Sequence, residues 1–154
     1  MPVRDKRVCS TWAFATLDDV VVLCARAESE PTERDVAAWV EYLRRTPCRK
    51  LLIQALGSAP DSAQRGRIAG VYGDGRPSPQ VLVMTNSRAV RFVSQAFRWL
   101  VKHDIHAVAP EQLTEGLDWL EFAGSRVEMA RLIAELHADL GTVVEAPSRA
   151  SIAG

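Results

Sequence analysis

The sequence predicts an α/β fold: a four- to five-stranded mixed, mostly parallel sheet with an N-terminal hairpin, flanking helices and one extra helix at the C-terminal end. Three observations predict it. Val20–Ala25, residues 51–56 and residues 81–84 are short runs, apolar at nearly every position, as strands covered on both faces are. Segments between and after these runs repeat apolar residues at helical spacing. Ahead of the first run lies another β-rich segment, split from it by the acidic pair Asp18-Asp19, which is the pattern of a hairpin. Strands joined through helices must be mostly parallel with right-handed crossovers, so the hairpin supplies the antiparallel partner.

Residues 1–8 are charged and expected to form a flexible N-terminus. Residues 9–16 follow, with Trp12 and Phe14 on alternate positions of the first hairpin strand. Thr32-x-x-Asp35 resembles a capping box and opens a helix over residues 33–45, with Val36, Trp39, Val40 and Leu43 inward and Glu33, Arg34, Glu41 and Arg44 in water. Thr46-Pro47 ends it. After the strand at 50–56, a loop over 57–62 feeds a weak helix near 63–72, in which Gly66 and Gly70 each lower helix propensity by about 1 kcal/mol relative to alanine. Residues 73–79 are a glycine- and proline-rich loop. A strand at 80–84 leads to a helix capped by Asn86 or Ser87, whose stripe is Val90, Val93, Phe97, Leu100 and Val101. A short strand at 105–109 precedes a helix opened by Pro110, with Leu113, Leu117 and Leu120 inward. Ser125-x-x-Glu128 is a second capping box, and its helix carries Met129, Leu132, Ile133, Leu136 and Leu140 before Gly141 stops it. The expected organisation is one domain over 9–124, an added helix over 125–141 and a disordered tail over 142–154.

Composition bounds the partners. The chain has 154 residues, 47% apolar and 25% charged, which fits one soluble domain large enough to bury a core and argues against fibrous or disordered readings. No apolar run approaches the ~18 residues of a membrane span, so no integral membrane segment is expected. The first residues lead into no signal-peptide core, and a cytoplasmic location follows. With 19 basic and 19 acidic side chains there is no global pull on nucleic acid, and none is expected as a partner. Cys9, Cys24 and Cys48 lack metal-type spacing, and the Asp18-Asp19 turn sets Cys24 nearer Ala13 than Cys9, so free, mostly buried thiols are expected. Arginine far outnumbers lysine and Asn86 is the sole asparagine, a bias expected of GC-rich codons and a bacterial source.

The segment from Gly57 to Arg67 lies between a strand's C-terminal end and a helix start, the edge where open α/β sheets collect ligands. Ser58, Asp61, Ser62, Arg65 and Arg67 are its candidate binding residues, and phosphate on Ser62 would sit near two arginines. Asp61 or Ser62 is equally a routine N-cap. Residues 61–104 carry a net charge of +4 and residues 105–145 a net −6, and Arg88, Arg91, Gln95 and Arg98 share one helical face. That strip fits an acidic protein, phosphate groups or plain solvent. His103, Asp104 and His106 have no third ligand and do not share a helix face, and neither a G-x-S-x-G elbow nor a nucleotide loop is present. No metal, cofactor or catalytic set is expected.

This order of elements resembles the STAS domain of bacterial anti-sigma factor antagonists and its relatives that share a fold with CRAL-TRIO lipid-binding domains. The resemblance covers about residues 10–122 and rests on topology, on the apolar run from Lys50 to Leu56, and on Asp61-Ser62 before a short glycine-containing helix. In the antagonists a D-S-[ST]-G motif begins that helix and its serine is phosphorylated by a partner kinase; here Ala63 and Gln64 follow Asp61-Ser62. The resemblance implies a non-enzymatic, STAS-like interaction and regulatory module, with a protein partner or a homodimer, in a signalling or partner-switching pathway. Its partner-binding residues would be Ser58, Asp61, Ser62, Arg65, Arg67, Arg88 and Arg91. The competing reading is a domain for a small apolar or lipid-like ligand, held between the weak 63–72 helix and the sheet.

Overall fold

Val20–Ala25 is buried at every residue, and it lies inside the sheet as an all-apolar run must. The computed structural model describes residues 3–54, 60–73, 75–86 and 104–141. In chain order these form β1 (Arg4–Val8), β2 (Trp12–Leu17), β3 (Val20–Ala25), α1 (Glu33–Arg45), β4 (Lys50–Gln54), α2 (Ser62–Gly70), β5 (Gln80–Met84) and β6 (Asp104–Val108). A 3-10 turn at Pro110–Gln112 then leads into α3 (Leu113–Trp119), and α4 (Arg126–Asp139) follows. The predicted helix at 87–102 and the tail at 142–154 lie outside the described residues.

The class is α/β, but the sheet has six strands where four or five were expected. Its order is β1-β2-β3-β4-β5-β6, with the first two pairings antiparallel and the next three parallel. The extra strand is β1, in a segment expected to be flexible. All five of its residues are exposed, so it offers no alternating apolar face to read. It pairs with β2 through a register shift between Arg4 and Arg7, and Lys6 bonds Glu135 and Asp139 of α4 at 2.9 and 2.8 Å. A charged, irregular strand of this kind suits a sheet edge, where it discourages pairing with another chain.

The Asp18-Asp19 turn sets the register of the hairpin, with Asp18 at φ +53°. Ala13 then faces Cys24, and no disulfide joins the three cysteines. Alternation sorts the strand residues onto two faces. Trp12, Phe14, Val21, Leu23, Leu51, Val81 and Val83 pack beneath α1 with Val36, Trp39, Tyr42 and Leu43. Phe14 lies edge-on to Trp39 and Tyr42, with ring centres 5.1 and 4.9 Å apart. On the other face Ala13, Ala15, Val22, Leu52 and Leu82 meet Leu117 of α3, its C-cap Leu120, and Met129, Leu132 and Leu136 of α4. The small side chains of β2 leave room there for a helix.

Two glycines are dictated by close approach. A Cβ on Gly116 would stand 2.7 Å from a Leu82 methyl, and one on Gly124 would stand 2.4 Å from both Asp18 and the Phe122 ring. At the end of α4, Gly141 takes φ +67°, the left-handed conformation that ends helices.

Candidate functional site

The helix start after β4 is held by its own residues. Asp61 is the N-cap of α2: its carboxylate accepts from the Gln64 amide at 2.8 Å, and the Gln64 side chain accepts from the Asp61 amide at 3.0 Å. Gln64 is buried, and its Nε2 donates to the Pro31 carbonyl and to Glu33. This reciprocal cap offsets two helix-weakening glycines and ties α2 to the entry of α1. Ser62 is the first residue of α2 and is exposed.

Of the residues expected to act together, Asp61, Ser62, Arg65 and Arg67 are carried by the first turns of α2 or its cap. Their groups are partly committed. Arg65 folds back to donate to the Pro60 carbonyl at 2.7 Å, and Arg67 pairs with Glu33 of α1. Asp61 already places a carboxylate in the positive field of the helix N-terminus. Ser58, Arg88 and Arg91 lie outside the described residues.

Between α1 and α2 runs an open cleft of ≈ 620 Å³, lined by Val36, Ala37, Val40, Arg44, Arg67 and Gly70. Ala37, Val40 and Arg44 recur at helical spacing on one face of α1. Val40, expected in the buried stripe, is half-buried at its margin and forms part of the cleft wall. Arg45 and Glu41 pair across one turn at the same rim, at 2.7 Å.

Two polar groups inside the fold go beyond the sequence reading, which gave Asp35 only as a capping-box residue and did not single out His137. Asp35 is wholly buried and accepts from the amides of Thr11, Trp12 and Thr32 and from the hydroxyls of Thr11 and Thr32, at 2.6–3.2 Å. Burial alone would raise its pKa, but these donors outweigh burial and hold the carboxyl below its ordinary value. On the opposite face His137 is 1% exposed, with Nε2 2.8 Å from Gln54 Oε1 and no partner for Nδ1 among the described residues. Burial pushes its pKa down. Gln54 was visible as the one polar residue in an apolar run, whereas His137 gave no such signal.

The thiols are poor nucleophiles in this setting. Burial raises the pKa of Cys9 and Cys24, and it pushes Cys48 up to about 11. His106 stacks on Trp119 with ring centres 5.0 Å apart. Among the described residues no group of three or more His, Cys, Asp or Glu could hold a metal ion, and no helix is long and apolar enough to cross a membrane.

Comparison with known proteins found no matching family model, no matching curated protein and no matching solved structure. The functional reading therefore rests on the chain's own residues.

Proposed function

We propose that this chain is a non-enzymatic protein-interaction module of regulatory, STAS-like type, working in a bacterial signalling or partner-switching pathway. The observation that carries the reading is the α2 rim. Exposed Ser62 opens the helix, the Asp61 cap fixes its position, and Arg65 and Arg67 stand one turn further on. The chain order supports it too: antiparallel strands come first, then parallel strands laid down in sequence, as in the family it resembles. The buried polar groups described above are engaged in holding elements together, which suits a scaffold that presents a surface.

The test is affinity capture from the native host. Arg65→Glu should abolish capture of the specific partner while the circular dichroism spectrum stays native. Capture unchanged by Arg65→Glu and by Ser62→Glu overturns the surface assignment. Intact-mass measurement across growth conditions reports on Ser62, and a phosphate there supports partner switching. The apolar-ligand reading places the ligand between α2 and the sheet, and native mass spectrometry that finds a co-purified lipid would favour it.

A further inference from the structure

We propose that the cleft between α1 and α2 is a docking groove for an acidic amphipathic helix belonging to a partner protein. The proposal rests on the interaction reading above and names the chemistry of the partner. Three features carry it. First, exposed Ala37, half-buried Val40 and exposed Gly70 leave a stretch of the outer side of these helices apolar, with the buried Val36 behind them. Second, the groove is open to solvent. Small apolar ligands are held by enclosure of most of their surface, whereas a helix lays one face into a channel and keeps the other in water.

Third, the rim is cationic. Arg44, Arg45 and Arg67 face the cleft against one lining carboxylate, Glu41. Arg44 has no ion pair among the described residues, and the Arg45–Glu41 and Arg67–Glu33 pairs are exposed, so a partner's carboxylates can exchange into them at little cost. Electrostatic complementarity of this kind selects an acidic partner over a basic one.

The glycines of α2 fit the same reading. Among the described residues a Cβ at Gly66 or Gly70 would meet nothing within 4 Å, and neither glycine has a positive φ. Nothing among them requires glycine at either site. Gly70 lines the cleft, and its missing side chain leaves space for an incoming apolar residue.

The experiment is a titration of the ¹⁵N-labelled full chain with a synthetic helical peptide of about four turns. Leucines lie at i, i+3, i+4 and i+7, and glutamates fill the outward positions. The expected result is saturable shifts of the Val36, Val40, Arg44 and Gly70 amides, with affinity weakened by added salt. Arg44→Glu with Arg67→Glu should weaken binding about tenfold, as loss of two charge contacts implies. Gly70→Leu should abolish binding while raising the melting temperature, a pairing that a merely destabilised variant would not give. Equal binding of the lysine-for-glutamate peptide, shifts confined to other elements, or no binding of the glutamate peptide overturns the groove. The two readings fail separately. Host-partner capture lost with Arg65→Glu but intact in Arg44→Glu/Arg45→Glu removes the groove and keeps the interaction surface.

Discussion

Two buried side chains show how single residues fix this fold, and each gives a prediction whose sign follows from its partners. Asp35 joins the α1 cap to the start of β2 by accepting five hydrogen bonds. Asp35→Ala strands buried donors, and urea unfolding should show a loss of about 2–4 kcal/mol. Its carboxyl is held below the ordinary value, so its stabilisation is complete at neutral pH and fades as pH falls through and below about 4. His137 gives the same sign at a higher pH. Its folded pKa lies below the unfolded one, so the unfolded chain takes up the proton first, and stability is level above about pH 6.5 and declines below it. His137→Leu with Gln54→Leu should flatten that decline in urea midpoints measured from pH 7.5 to 5. At this scale the sequence was half legible. Thr32-x-x-Asp35 announces a cap, but the link to Thr11 and Trp12 spans more than twenty residues and leaves no local pattern.

Elements were legible where apolar spacing and a cap agree. The predicted bounds of α1 match the structure because Thr32 and the Thr46-Pro47 step mark both ends. The start of α4 follows from Ser125 in the same way. β1 was missed because a strand exposed at every position has no buried face to impose alternation. The weak helix begins at Ser62, one residue before the stretch expected, since the Asp61 cap sets its first turn, and it ends at Gly70, two residues short of it. Because a Cβ at Gly66 meets nothing, Gly66→Ala should raise stability by about 0.5–1 kcal/mol in thermal or urea unfolding. Gly116→Ala should act oppositely and lower the melting temperature, since the new methyl meets the buried Leu82 side chain.

At the level of the whole molecule, the two-faced sheet was readable from the apolar runs, but the number of strands was not. The apolar stripe of the final helix is too short for a coiled-coil seam and reads as a cover for the sheet, which it is; the stripe does not say which strands it covers, and α4 packs on β2 and β3. Truncation after residue 124 would uncover Ala13, Ala15, Val22 and Cys24. The shortened chain should lose cooperative thermal unfolding and bind a hydrophobic dye, whereas a native-like melt would show that the remainder stands alone.

The sequential strand order has a kinetic consequence. Each strand pairs with the one translated just before it, so a nascent chain emerging from the ribosome can assemble the sheet without waiting for remote segments. The back of β2 and β3 must wait longest among the described strands, because α4 is made more than a hundred residues later. During that interval an apolar surface is uncovered, and slow synthesis between β3 and α4 prolongs the period in which the chain is most exposed to aggregation or chaperone capture.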